Sequence, residues 1–283
     1  MARLNTEETF KESWQQCTTE ALYTHWTPGE PKNQIQLAFR NHWTLFQETM
    51  QNNPAFNQGK RCLEVGCGRG SLSAYFSEAG YDCTMLDISQ TVIAIAQRIF
   101  SHNGLSARFI TGDAKEMPLA DNSFDIVFSI GLFEHFEDPA PFVTEQLRIL
   151  DEGGMFFGYI VPQYIDNVQK DFAWVNDVLK GYGQQSGIQT QKPAVYRSDA
   201  GSERYIPFLE QYGLKDIQSS GVYPLPMISH AIDFPFSLMP PASEQVLVER
   251  FKRQLSERRR EAGHHPWLCR EGYGQAFLVW GTK

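Results

Sequence analysis

Residues 63–70, "LEVGCGRG", place three glycines at alternate positions directly after a short apolar run. The run at 61–65 predicts a β-strand, and residues 71–79 repeat apolar side chains at helical spacing. A strand, a glycine-rich turn and a helix in this order are typical of the first unit of a nucleotide-binding α/β domain. This stretch therefore sets the expected class of fold.

The alternation of strand and helix continues as far as residue 161. Apolar runs predict further strands at 81–87, 107–113, 123–130 and 153–161, followed later by 215–223 and 275–283. Helical patterns separate most of them, which favours a parallel sheet with helices on both faces. The expected fold is α/β: a doubly wound, mostly parallel, seven-stranded, Rossmann-like sheet, whose ligands bind at the carboxyl ends of the strands.

Two kinds of segment fall outside this regular pattern. Residues 1–58 are expected to form an N-terminal helical or lid segment, and residues 59–283 the main domain, with lid-like insertions at about 162–200 and 223–273. The aromatic side chains of the first segment have two interpretations, closure over the site or attachment of helices to the sheet. They include Trp14, Tyr23, Trp26 and Trp43.

Composition excludes several classes of protein. The 283 residues are 42% hydrophobic with 13% aromatics, enough for a core, while a net charge of −8 disfavours a general nucleic-acid binder. The five cysteines form no CxxC pair, so neither a zinc site nor a disulfide framework is expected. No apolar run approaches 18 residues and the first residues are polar, so we expect no membrane span and a cytoplasmic location.

The charge beside the glycine loop restricts its ligand. In a dinucleotide-binding turn the third glycine would stand at position 71, which Ser71 occupies, and no Walker lysine comes after it. The carboxylate of Glu64 would repel a bound pyrophosphate by on the order of 1 kcal/mol or more. A cationic nucleoside without phosphates suits this loop better, which disfavours a nicotinamide cofactor.

Together with two later segments, "LEVGCGRG" resembles the ordered motifs of class I S-adenosylmethionine-dependent methyltransferases. The resemblance covers roughly residues 60–161 and includes "GDAKEMPLADNSFDIV" at 112–127 and "FSIGLFEHFEDP" at 128–139. It implies S-adenosyl-L-methionine as co-substrate, S-adenosyl-L-homocysteine as product, and no metal. The cofactor-binding residues that it implies are Glu64, Gly66, Cys67, Gly68, Gly70, Asp87, Ile88, Asp113, Ala114, Ser129 and Ile130.

The resemblance also gives several of these residues a partner on the cofactor. Asp87 would accept hydrogen bonds from both ribose hydroxyls, since a carboxylate at the end of the second strand does so in the family. Asp113 would meet the adenine amino group and the amide of Ala114 a ring nitrogen. Ser129 and Ile130 would line the methionine side.

His135, which comes after the fourth strand, is the candidate general base. Methyl transfer from a sulfonium is an in-line displacement, so a base is needed only where the acceptor must lose a proton. An unperturbed imidazole titrates near neutral pH, which suits that task. The alternative is structural, in which Glu134 and His135 begin a helix or loop and His135 bonds to the backbone.

Negative signals favour a small-molecule acceptor. The loop after the fourth strand lacks both the Asn/Asp-Pro-Pro-Tyr/Phe signature of amino methylation of bases and the Pro-Cys of cytosine methylation. The sequences of these motifs most resemble those of the branch that includes the ubiquinone and menaquinone biosynthetic methyltransferases. Transfer to O, N, S or C stays open, as does the oligomeric state, a homodimer included.

Two other functions remain as alternatives. One is a non-catalytic S-adenosylmethionine-binding module of the same fold; the other is a nicotinamide-dependent oxidoreductase, which Glu64 disfavours. The basic stretch 252–260, "KRQLSERRR", is interpreted as a solvated helix face, with a dock for a phosphate or carboxylate on the acceptor as its alternative.

Overall fold

The computed structural model of the protein describes residues 26–163, 196–223 and 240–283. Within these ranges, six α-helices and one eight-stranded sheet are present. The strands are β1 Arg61–Val65, β2 Asp82–Asp87, β3 Arg108–Thr111, β4 Phe124–Ile130, β5 Leu150–Ile160, β6 Lys215–Val222, β7 Leu268–Cys269 and β8 Ala276–Thr282. The helices are α1 Gln34–Gln51, α2 Ser71–Glu78, α3 Gln90–His102, α4 Ala140–Ile149, α5 Ile206–Gln211 and α6 Pro241–Ala262.

The sheet has the order β3-β2-β1-β4-β5-β8-β6-β7. The five strands from β3 to β5 pair in parallel, whereas β8 runs antiparallel to both β5 and β6. The strand order therefore reverses between β1 and β4, which makes that point the expected ligand crevice. The predicted fold class is confirmed, and the strand that the sequence did not indicate is β7, whose two residues are too few to display any period.

Each face of the sheet carries its own apolar cluster. One cluster includes Cys62, Phe128 and Phe157 and lies against α1, α2 and α3. The other includes Val127 and Phe156 and lies against α4 and α5. Successive residues of β4 and β5 thus point into opposite clusters, as the two-residue period of a strand requires, and both faces are buried.

Helix α1 is part of this core. Phe46 is fully buried, with its ring stacked on that of Phe157 at a centroid distance of 4.1 Å. Trp43 meets the ring of Phe76 at 4.7 Å, so for this aromatic residue the structure shows attachment to the rest of the fold. The remaining aromatic residues of the predicted N-terminal segment up to residue 25 lie outside the described residues, as do 164–195 and 224–239 of the predicted insertions.

An ionic cluster joins the strands at their amino ends. Nη2 of Arg61 lies 2.6 Å from Oδ1 of Asp125 and 2.6 Å from Oδ2 of Asp151. Burial opposes the ionisation of Asp125, but the hydrogen bonds from Arg61 outweigh it and lower the pKa of that carboxyl. The cluster lies at the edge of the sheet opposite the glycine loop, where it connects β1, β4 and β5.

No helix in the described part of the chain combines the length and the apolar character that a membrane crossing requires.

Candidate active site

Four loops meet at the carboxyl ends of β1 to β4. The amide of Gly66 donates to the carbonyl of Leu86 at 2.8 Å, and the amide of Gly112 donates to the carbonyl of Asp87 at 3.0 Å. A Cβ on Gly66 would lie 3.1 Å from the side chain of Leu132, so the loop after β4 touches the glycine loop. All eleven residues that the resemblance proposes for cofactor binding lie on these strand ends and loops.

The third glycine is required by its surroundings. Gly70 stands at the N-cap of α2 with φ +69°, in the left-handed region that side chains with a Cβ seldom adopt. A Cβ there would lie 2.0 Å from Cε of Met85 and 2.9 Å from the ring of Phe100. Both neighbours are buried. The early third glycine therefore allows α2 to approach β2 and α3 closely.

Several amide groups of the glycine loop already have acceptors within the protein. Gly66 and Cys67 both donate to the carbonyl of Leu86, at 2.8 and 3.0 Å, and Gly68 donates to Oδ2 of Asp87 at 3.2 Å. A phosphate-binding loop instead directs such amides at its ligand. Three amides that a pyrophosphate would need as hydrogen-bond donors thus already donate to acceptors within the protein.

Glu64 is a buried carboxyl at the end of β1. Its Oε2 accepts hydrogen bonds from the amide of Ser73 at 3.1 Å and from its hydroxyl at 2.5 Å. Burial raises the pKa of Glu64 to about 7; the bonds from Ser73 oppose this rise, while the charge of Asp87 adds to it. Glu64 therefore attaches α2 to β1 through hydrogen bonds. Its pKa also depends on the charge of Asp87.

Asp87 links the loops after β1 and β2. Its Oδ1 accepts from the amide of Ser89 at 2.9 Å, and its Oδ2 accepts the bond from Gly68. Burial raises the pKa of Asp87, although these amide bonds work in the opposite direction. Among the described residues, no lysine or arginine forms an ion pair with Asp87 or Glu64.

The other cofactor candidates complete this edge. Asp113 follows β3 and accepts from the amide of Lys115 at 2.9 Å, with the ammonium of that residue 3.5 Å from its Oδ2. Ala114 is partly buried against the cluster on the α4 side. Ser129 on β4 is fully buried, and its hydroxyl has no hydrogen-bond partner within the described ranges. Such an unsatisfied buried hydroxyl is unusual and indicates a position that a ligand or water would complete.

His135 ends a single 3₁₀ turn, Phe133–His135, after β4. Its Nδ1 lies 2.8 Å from the carbonyl oxygen of Tyr196. Burial lowers the pKa of His135 to about 4, helped by the charge of Arg197, while the bond to Tyr196 opposes the shift. The backbone bond of the structural interpretation is therefore present, and the role of His135 in proton transfer stays a prediction.

The sequence gives no signal for the residues that surround this turn. Tyr196 and Arg197 are about 60 residues away in the chain, and no motif indicates that they lie against it. The amide of Ser198 donates to the carbonyl of Glu134 at 2.7 Å, which joins the two segments. Glu134, the neighbour of His135 in this turn, is 1% exposed, and burial raises its pKa to about 7.

Two other features of the described residues lie away from this crevice. A groove of about 630 Å³, lined by Trp26, Tyr81 and Leu105 among others, opens at the amino ends of β2 and β3. In the basic stretch on α6, Lys252 pairs with Glu30, and Arg259 pairs with Glu48. Two of the basic side chains of this stretch are thus paired with glutamates of the same chain. This pairing favours a structural role for the stretch over binding of a phosphate or carboxylate on the acceptor.

The chain's middle part matches a known family model, described as "Methyltransferase domain", over residues 63–158. This range runs from within β1 into β5, and it includes every cofactor candidate named above. Over residues 63–158 the chain is therefore similar to methyltransferase domains. The resemblance that the motifs indicated is confirmed.

Individual relatives match over about the same length as the family model. The chain is 36% identical over 98 residues to ajmaline N-methyltransferase of Rauvolfia serpentina, which covers 33% of this chain and 33% of that protein. It is 33% identical over 103 residues to the ubiquinone biosynthesis O-methyltransferase of Pseudomonas fluorescens, covering 35% of this chain and 43% of that protein. The chain thus spans between a third and a half of the length of these curated relatives.

The fold likeness extends beyond residues 63–158. The crystal structure of the YcgJ protein from Bacillus subtilis superimposes with a TM-score of 0.53 and 20% identity. It covers 86% of this chain and 98% of that one. At this identity the likeness concerns the fold alone.

Proposed function

We propose that the protein is an S-adenosylmethionine-dependent methyltransferase that acts on a small molecule. The carrying observation is the electrostatics of the glycine loop: the buried carboxyl of Glu64 and the partly buried carboxyl of Asp87 lie beside amides that are already bonded within the chain. A ligand with an ammonium and a sulfonium group and no phosphate suits this crevice. The pyrophosphate of a dinucleotide would bring negative charge to this crevice, where few amide donors are available for hydrogen bonds.

The residues of the crevice fit the parts of such a ligand. Each oxygen of the Asp87 carboxylate accepts one amide bond, which leaves lone pairs for the two ribose hydroxyls. Asp113 and the amide of Ala114 would bind the adenine edge. The buried hydroxyl of Ser129 would meet the methionine portion, and Glu64 would offset its positive charge. This assignment of roles follows the resemblance and the chemistry of each group.

S-adenosylmethionine, when bound, supplies a methyl group on a sulfonium. The work left to the chain is to position the acceptor, exclude water and accept a proton where the acceptor has one to lose. His135 is the proposed acceptor of that proton. Since its Nδ1 faces the carbonyl oxygen of Tyr196, which only accepts hydrogen bonds, Nδ1 carries the hydrogen and Nε2 is the basic atom.

A small-molecule acceptor is supported by two observations. The loop after β4 lacks the signatures of base methylation, and the overall charge disfavours nucleic acid. The two curated relatives are named for N- and O-methylation of small molecules, so the proposal concerns the class of acceptor and not one acceptor atom.

Isothermal titration calorimetry with S-adenosylmethionine tests this proposal. We expect binding by the wild type and a Kd at least about tenfold weaker in Asp87→Asn, since charge-assisted bonds to the ribose are lost. Asp121→Asn is the matched control, because Asp121 is an exposed carboxylate that pairs with Arg148 away from the crevice. Absence of binding by the wild type would refute the proposal.

A second measurement separates catalysis from binding alone. Release of S-adenosylhomocysteine is followed while the wild type is presented with a panel of metabolites. Turnover of any of them supports an enzyme, whereas tight cofactor binding with no release across the panel favours the non-catalytic module. A thermal shift with NADH and none with S-adenosylmethionine would favour the oxidoreductase.

A further inference from the structure

Glu134 and His135 present their side chains to each other inside the protein. Oε1 of Glu134 lies 3.8 Å from Nε2 of His135, and the two side chains are 1% and 5% exposed. Because Nδ1 of His135 is held by the Tyr196 carbonyl, the basic atom of the ring is the one that faces the carboxyl. Two groups able to take a proton are thus adjacent, buried and oriented.

The position of Glu134 connects this pair to the crevice. Oε1 of Glu134 is 3.5 Å from the point that a Cβ on Gly131 would occupy, and Gly131 has φ +67°. The next residue, Leu132, is the one whose side chain touches Gly66 of the glycine loop. The carboxyl therefore lies beside the loop that contacts the proposed cofactor site, at the carboxyl end of β4.

Glu134 is incompletely satisfied where it lies. Its Oε2 is buried and has no hydrogen-bond partner among the residues that the structure describes. Among the described residues, the charged and titratable groups that face it are Arg197 in the segment before α5, Tyr205 at the start of α5, and His135 on its own turn. A buried carboxyl that lacks a full set of donors is costly to keep ionised, so it has a proton to gain.

We infer that Glu134 and His135 act as one proton-accepting unit, in which Glu134 is a positioning residue that works through Nε2 of His135. The use of this unit in methyl transfer rests on the proposed function; its shared titration does not. Neither the motif resemblance nor the adjacent positions of the two residues assigns such a role to Glu134.

The proposed step conserves atoms and charge. The acceptor's lone pair forms the new bond to the methyl carbon, while the bond from that carbon to sulfur breaks and leaves its electron pair on sulfur. The acceptor's proton passes to Nε2 of His135, and the Glu134 carboxylate compensates the positive charge that the ring gains. The pair changes from a net charge of −1 to 0, so no isolated cation is left inside the protein.

The pH dependence of the pair comes from the environment of each member. Burial raises the pKa of Glu134 to about 7, and burial together with Arg197 lowers the pKa of His135 to about 4. The first proton that the pair takes up on acidification therefore binds near pH 7, and it belongs to the pair and not to one residue. Above about pH 7 the pair is ready to accept a proton; below it, the site is already occupied.

Nuclear magnetic resonance of the histidine rings tests the shared titration without any acceptor. The 15N shifts of ring-labelled protein are followed from pH 4 to pH 9, and the His135 signals are assigned by their loss in His135→Gln. We expect the wild-type ring to report an inflection near pH 7, and Glu134→Gln to lose it and to titrate only near pH 4. Glu145→Gln, a carboxyl that pairs with Arg148 on α4, is the control and should keep the wild-type curve.

An inflection near pH 7 that persists in Glu134→Gln, or that is missing from the wild type, would overturn the inference. Should Glu134→Gln fail to fold, 13C titration of the glutamate carboxyls in the wild type replaces it. The Glu134 and His135 signals must then inflect at the same pH, and independent midpoints would refute the pair. Since these titrations need no S-adenosylmethionine, loss of cofactor binding would refute the proposed function and leave this result standing.

Discussion

The hydroxyl of Ser73 lies 2.5 Å from Oε2 of Glu64, so a buried hydrogen bond joins α2 to the end of β1. The amide of Ser73 donates to the same oxygen. Helix α2 is thus attached to the sheet through the carboxyl that the sequence motif places beside the ligand. A change in the ionisation of Glu64 should therefore alter both the stability of the fold and the charge of the crevice.

Stability should depend on pH through Glu64. Its folded-state pKa, about 7, is above the ordinary value of 4.5, so this group favours folding fully below about pH 4.5 and loses that contribution as the pH rises through 7. Glu64→Gln removes the ionisation. Relative to the wild type, the variant should gain about 2 kcal/mol in free energy of unfolding between pH 5 and pH 8, as measured with urea. An equal difference at both pH values would contradict this.

Gly70→Ala should destabilise the protein by more than a positive φ alone explains. The new Cβ would overlap Met85 and Phe100, so we expect a loss of about 2–4 kcal/mol in urea unfolding. Gly104→Ala is the matched control, because Gly104 has φ +67° and open space around it. That control should lose only about 1–2 kcal/mol. Equal losses in the two variants would refute the steric explanation.

Asp125→Asn should weaken the amino end of the sheet in a pH-dependent way. The pKa of Asp125 is lowered, so its ionised form stabilises the fold above its ordinary value and loses this contribution as the pH falls through the folded-state pKa. We expect a loss of about 2 kcal/mol at pH 7 and a smaller one at pH 2.5. Asp121→Asn, at an exposed ion pair, should change stability by less than about 0.5 kcal/mol.

Phe46→Ala should show that α1 belongs to the folded core. The ring is fully buried on Phe157, and its removal should cost about 3–5 kcal/mol of unfolding free energy. Val246→Ala, on the exposed face of α6, should change it by less than about 0.5 kcal/mol. A loss below about 1 kcal/mol for Phe46→Ala would mean that α1 detaches without unfolding the sheet.

Local chemistry explains what the sequence could predict. Gly70 is indicated by its own position, since a left-handed residue must end the turn before α2. Asp87 is indicated because a polar residue closes an apolar strand, and parallel strands end at one edge. These features depend on neighbours within a few residues, which periodicity and turn chemistry can detect.

Features that depend on distant segments were not accessible in this way. Glu134 looks like an ordinary loop carboxyl in the sequence, and it is buried because residues 196–205 lie against it. The short strand β7 exists only because Leu268 finds Val222 of β6 as a partner. The attachment of α1 likewise depends on the stacking of Phe46 on Phe157 of β5. Each of these depends on contacts between residues more than 40 positions apart, for which a single sequence gives no signal.

The position of β8 has a consequence for how the chain is made. β5 and β6 are not neighbours in the sheet, because β8 lies between them and pairs Trp280 with both Phe157 and Gln218. While a ribosome is still synthesising the stretch after residue 160, one edge of β5 has no strand beside it. An unpaired, apolar edge invites association with other chains. We therefore expect the nascent protein to depend on a chaperone until residues 276–282 emerge and insert between the two older strands.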